Sequence, residues 1–217
     1  MRIRTDVVLF VVLLAGSAYA VATQVGHDPI AASNALRAGQ VPFGGIVPDM
    51  TLKDWKDRPH TLESAKGKVA TVLYFFSVEC PCVDAVKMRV QDLMDTYQSK
   101  GVEFVGIDGH PEDSAKAIFG KIAELHHTFL VLLDPDQKLV RRVGVIGATD
   151  VVVLDAEGRL VYRGTLDDDL VKPTTHYVGP VLAALVKGEE PPFRESPKKK
   201  SYGCAYPGFD GPCPTLK

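Results

Sequence analysis

Two rhythms alternate along this chain, long β-favouring apolar runs and apolar positions spaced three and four apart. Val69–Phe76 is a continuous run of the first kind that stops at Ser77, which predicts a buried strand. Directly afterwards Val83, Val86, Val90, Leu93, Met94 and Tyr97 fall on one face of a helix over Pro81–Gln98, ended by Gly101. Pro81 suits the first turn, where a helix leaves the amide unpaired in any case. Val102–Ile107 reads as the next strand. Asp113–Glu124 reads as a helix with Ala115, Ile118, Phe119 and Ile122 inward, and Phe129–Leu133 as a third strand closed by Asp134-Pro135. Gln137–Val143 is a short helix, Val151–Leu154 and Leu160–Tyr162 form a hairpin around Asp155–Gly158, and Thr175–Lys187 is the last helix before Gly188. A small hairpin, Met50–Leu62, precedes them all.

The order β-α-β-α-β-α-β-β-α implies parallel crossovers first and antiparallel strands last. That is an α/β chain with a mixed central sheet and helices on both faces.

The termini do not share this pattern. Residues 1–20 read as an export signal, with Arg2 and Arg4 ahead of apolar Val7–Ala15 and the cleavage motif Ala18-Tyr19-Ala20. The competing reading is an uncleaved membrane anchor over residues 7–22, a stretch shorter than the roughly 20 residues that span a bilayer comfortably. The residue directly after the cleavage site is Val21 and not a cysteine, which argues against a lipoprotein. Residues 21–40 are Ala-rich without clear period and read as a linker. The folded domain is expected over 41–188, and 189–217, rich in proline with the Lys198–Lys200 run, reads as a tail. A net charge of −2 on 217 residues gives no electrostatic case for nucleic acid. Export, to the periplasm or the exterior, makes disulfides persistent and changes how the cysteines read.

There are four cysteines, in two close pairs. Cys80 ends the strand-to-helix loop, where the helix dipole and free amides favour an exposed thiolate, although Glu79 beside it opposes a second negative charge. Cys82 has three readings: resolving partner of Cys80 in a strained and hence oxidising bond, inert small hydrophobe, or soft-metal ligand. Cys204 and Cys213 enclose a turn-rich segment and read as a local structural disulfide, with Cys204 as a resolving thiol for Cys80 the sharper alternative. His27, His60, His110, His126, His127 and His176 read individually as solvated or capped side chains, with His110 at the same sheet end as Cys80. No cofactor-binding motif is visible.

Several stretches carry a family resemblance: Pro48-Asp49-Met50-Thr51-Leu52, Gly67-Lys68-Val69, Cys80-Pro81, Gly101–Ile107, Leu132–Asp136 and Val153–Gly164, with Thr174-Thr175-His176 and Gly203-Cys204 behind them. In this order they resemble the thioredoxin-fold redoxin group, which holds peroxiredoxins and exported thiol–disulfide oxidoreductases. The resemblance implies a thioredoxin-like three-layer fold and Cys80 as the attacking thiol, with Ser77, Pro81 and Thr149 in support. Protein thiols and disulfides, or hydroperoxides, are the implied partners.

The departures are specific. Cys80-Pro81-Cys82 is one residue shorter than a thioredoxin C-x-x-C, and Glu79 stands where a tryptophan is expected. Thr149 takes the place of the cis-proline. Ser77-x-x-Cys80 matches half of the peroxiredoxin motif, but Leu73 occupies its proline position and Gly144–Leu154 contains no arginine. The implied function is an exported thiol–disulfide oxidoreductase. The alternatives are an antioxidant thiol peroxidase with Cys80 peroxidatic, and a non-enzymatic copper carrier on Cys80 and Cys82.

Overall fold

In the computed structural model of the chain, which describes residues 39–126, 128–197 and 201–209, every residue of strand β3 (Ala70–Phe76) is buried. The other strands are β1 (Thr51–Asp54), β2 (Pro59–Thr61), β4 (Val102–Asp108), β5 (Leu130–Leu133), β6 (Asp150–Asp155) and β7 (Leu160–Thr165). The helices are α1 (Pro81–Tyr97), α2 (Ala115–Leu125), α3 (Lys138–Val143) and α4 (Val178–Lys187). The seven strands form one sheet in the order β2-β1-β5-β4-β3-β6-β7. β3 lies parallel to β4 from Ala70↔Val102 to Phe76↔Asp108, and antiparallel to β6 from Ala70↔Asp155 to Tyr74↔Val151. The mixed sheet is the expected one.

Because side chains alternate along a strand, a central strand so apolar requires cover on both faces. Val72, Tyr74 and Phe76 pack with Val83, Val86 and Val90 of α1, Ile118 of α2 and Val181 of α4. Leu73 and Phe75 face the other way, onto Leu139, Val140 and Val143 of α3 and onto Val41 and Val47 ahead of the sheet. These are the three layers of a thioredoxin-like fold.

Three local expectations are corrected. α2 starts at Ala115 rather than Asp113, because Ser114 is its N-cap and accepts the Ala117 N–H at 3.2 Å. Its inward row is Ile118, Lys121 and Leu125; Ala115 is exposed, and Phe119, 50% exposed, packs on Trp55 with ring centroids 4.7 Å apart. Lys121 is held there by Asp84, with Nζ 3.0 Å from Oδ2. α4 starts at Val178 rather than Thr175, since Asp168 accepts from the amides of Thr174 and Thr175 and from the Thr174 hydroxyl, which keeps that segment in a loop.

The third correction concerns the tail. Residues 201–209, expected as part of a tail outside the 41–188 domain, pack into the core. Tyr206 is 1% exposed and its hydroxyl donates to the Phe76 carbonyl at 2.8 Å, while Ala205 bridges antiparallel to Gly147. Among the described residues no helix is long and apolar enough to cross a membrane. The expected signal or anchor (1–20, 7–22) and nearly all of the 21–40 linker lie outside the described residues.

Candidate functional site

β3 must hand its chain to α1 through Ser77–Glu79, and this short loop is clamped from the β4–α2 connection. Asp113 Oδ2 accepts the Val78 N–H at 2.8 Å and the Ser77 hydroxyl at 3.1 Å. His110 Nδ1 stands 3.7 Å from the other oxygen of the same carboxylate. Ser77 is thereby directed to Asp113. Glu79 faces solvent.

Cys80 follows as the N-cap residue of α1, with extended backbone, its N–H on the Ser77 carbonyl at 3.3 Å, and Pro81 in the first turn. Cys80 and Cys82 are both free thiols. Cys80 is only 1% exposed, against the expected accessible position, because the tail lies over it. The Cys204 N–H points at Cys80 Sγ, at 3.3 Å, a donor for negative charge on that sulfur. Cys82 Sγ donates to the Tyr202 carbonyl at 3.3 Å. Burial pushes the Cys82 thiol up to about 12, and the neighbouring charge of Cys80 adds to it. At neutral pH Cys82 therefore holds its proton.

Thr149, the residue just ahead of β6, closes the site. It is fully buried with φ at 71°, an uncommon conformation for a β-branched residue, and its N–H is bonded to the Phe75 carbonyl at 2.7 Å. The residues before it form the seat for the tail. Ala148 N–H donates to the Cys204 carbonyl at 2.9 Å, Tyr206 N–H donates to the Ile146 carbonyl at 2.9 Å, and Ser201 Oγ donates to the Ala148 carbonyl at 3.3 Å. Cys80, Pro81, Cys82, Thr149 and Cys204 thus meet at one sheet end. Cys204 is disulfide-bonded; Cys213 lies outside the described residues.

Two buried carboxyl groups near this sheet end went unnoticed at the sequence level. Asp108 pairs in register with Phe76, and burial together with the charge of Asp113 pushes it up to about 8, against the opposing N–H of His110. Burial pushes Asp150 up to about 7, although Ser201 and the amides of Ile146 and Gly147 hydrogen-bond to it. An acidic residue ending an otherwise apolar strand, as in Val102–Asp108, is the signal that could have found the first. Elsewhere His60 pairs with Asp54 at 3.2 Å, His176 with Asp167 at 2.5 Å, and His126 is an exposed helix terminus. His27 and His127 lie outside the described residues. No group of three or more His, Cys, Asp or Glu side chains suited to a metal ion occurs among the described residues.

Comparison with known proteins accords with this geometry. The chloroplastic peroxiredoxin Q of Triticum aestivum is 32% identical over 140 residues, which cover 61% of this chain and 63% of that protein. The chain thus spans less than two thirds of that relative. Thiol-disulfide oxidoreductase ResA of a Bacillus thuringiensis strain is 25% identical over 122 residues, 56% of this chain and 69% of the relative. An uncharacterized conserved protein of Geobacillus kaustophilus superposes with a TM-score of 0.68 at 30% identity, covering 76% of this chain and 92% of that one. The family model for redoxins matches residues 43–176, a span that runs from the first hairpin through the thiol loop to the approach to α4. The chain belongs to the redoxin family.

Proposed function

We propose that this redoxin is an exported thiol–disulfide oxidoreductase in which Cys80 attacks and Cys82 resolves. The observation that carries the reading is the placement of two free thiols two residues apart at the start of α1, each hydrogen-bonded to the backbone of the same 202–204 segment. In the exchange, Cys80 as thiolate attacks one sulfur of a protein disulfide and forms a mixed disulfide, and the displaced sulfur leaves and takes up a proton. Cys82 then loses its proton, attacks Cys80 Sγ and releases the second substrate sulfur as a thiol, leaving Cys80–Cys82 oxidised. Its high proton affinity makes that second step the slower one near neutral pH. Export rests on the charged, apolar and Ala-x-Ala pattern of residues 1–20.

A second reading, a thiol peroxidase, is favoured by the 32% identity with a peroxiredoxin Q. The commitment of Ser77 to Asp113, and Thr149 where peroxiredoxins need arginine, weigh against it. Insulin reduction by the mature protein separates the two. The oxidoreductase reading expects turnover that disappears in Cys80→Ser and a trapped mixed disulfide in Cys82→Ser. Rapid conversion of Cys80 to sulfenic acid by peroxide, with no insulin turnover, would support the peroxidase instead. The mature protein, recovered from the periplasm of an expression host, should begin at Val21; a chain retained in the cytoplasm with Met1 intact would sink the export reading.

A further inference from the structure

We propose that the Cys204 disulfide is an internal reaction partner of the Cys80/Cys82 pair, so that electrons pass between the buried thiols and the C-terminal segment. The proposal rests on the reading of Cys80 as the exchanging thiol. It starts from a steric fact: both thiols are closed off, with Cys80 1% and Cys82 0% exposed, and the segment covering them itself carries a cysteine.

That segment is held in register. The Ala148 N–H on the Cys204 carbonyl and the Tyr206 N–H on the Ile146 carbonyl, both at 2.9 Å, flank the Gly147↔Ala205 bridge as a short antiparallel pairing. Gly203 lies so close that a Cβ there would collide with the Ala148 carbonyl oxygen, so the seat accepts this backbone at one position only. The register delivers Cys204, and its N–H reaches Cys80 Sγ at 3.3 Å. Two residues earlier, the Tyr202 carbonyl takes the Cys82 thiol at 3.3 Å. One peptide segment therefore engages both thiols, and its disulfide-bonded Cys204 packs against the core cluster that contains them.

The exchange balances without any further reactant. Cys80 thiolate attacks Cys204 Sγ; the Cys80–Cys204 bond forms as the existing bond of Cys204 breaks, and the leaving sulfur takes up a proton. Cys82 then attacks Cys80 Sγ and gives its proton to the departing Cys204. Two electrons have moved from the Cys80/Cys82 dithiol to the tail disulfide, and the reverse sequence returns them. A disulfide between residues two apart is strained and comparatively oxidising, which favours reduced Cys80 and Cys82 with an oxidised tail, the state present in the structure. Cys204 is only partly buried, so the tail gives outside proteins a faster route to the pair than direct attack by the covered Cys80.

The test uses the full mature chain as a Cys82→Ser variant, equilibrated across glutathione redox buffers, acid-quenched, alkylated and mapped by mass spectrometry. A Cys80–Cys204-linked peptide is expected, together with its loss when Gly203→Ala is added. A Cys80 found only free or glutathionylated, while the Cys204 disulfide stays intact throughout, overturns the proposal. The second measurement is insulin reduction by Cys204→Ser/Cys213→Ser, expected to fall by at least about tenfold. An unchanged or faster Cys80-dependent rate would make the tail a lid, overturning the relay while leaving the oxidoreductase reading in place. Failure of that reading is distinguished by wild-type turnover that survives Cys80→Ser.

Discussion

Cys82, Asp108 and Asp150 hold their protons for the same reason, which is that burial penalises the charged form. For a carboxyl group the consequence is a stability that depends on pH. Asp108 titrates near 8 in the folded chain against about 4 when unfolded, so between these values the folded state binds the extra proton. Its contribution is fully present below the unfolded value and is lost as pH rises through the folded one. Asp108→Asn should therefore stabilise the protein at pH 8 relative to pH 5, by at least about 1 kcal/mol more than wild type. Urea unfolding at the two values checks this, and equal differences at both would show that Asp108 is already charged when folded. Asp54 has the opposite sign. Burial alone would raise it, but the hydrogen bonds from Arg58, His60 and Lys56 hold it well below the usual carboxylate range, so its support fades only in acid.

At the scale of elements, the strand–loop–helix unit around the thiols is positioned by a residue far away in sequence. The β3 run and the three-and-four spacing of α1 are local patterns, and both were legible. The loop between them takes its shape from Asp113, which accepts from Ser77 and Val78. Removing a buried acceptor leaves its donors unsatisfied, so Asp113→Ala should cost about 1–3 kcal/mol, and Asp113→Asn less because one oxygen remains. Thermal or urea unfolding of the two variants reads this directly; an unchanged midpoint in Asp113→Ala would mean the clamp does not hold the loop. The α2 expectation failed on a similar point. Four apolar positions over Asp113–Glu124 pointed to a face with Phe119 inward, but Trp55 supplies an outside partner for Phe119, and Asp84 lets Lys121 take the buried row. Single-sequence periodicity cannot register a partner that arrives from another element.

For the whole molecule, residues 201–209 close the sheet end, and their place in the core is a matter of stability as well as chemistry. Tyr206 fills a fully enclosed position and its hydroxyl caps the Phe76 carbonyl. Tyr206→Ala should cost about 3–5 kcal/mol, as for other buried aromatic truncations. Tyr206→Phe, which loses only the hydrogen bond, should cost about 1 kcal/mol. Denaturant midpoints for both variants test this; a negligible loss in Tyr206→Ala would show that 201–209 adds nothing to the stability of the core.

The sequence by itself determined the α/β order, the central strand and the thiol at a helix start, because each is written in nearest-neighbour patterning and local backbone preference. It also marked the family through residues 43–176. Only the tertiary structure decided that Cys80 is covered rather than open, and that Cys204 is the residue covering it. That decision rests on backbone hydrogen bonds between residues 146–148 and 204–206 and on the close approach of Gly203, interactions between distant segments that carry almost no side-chain signature.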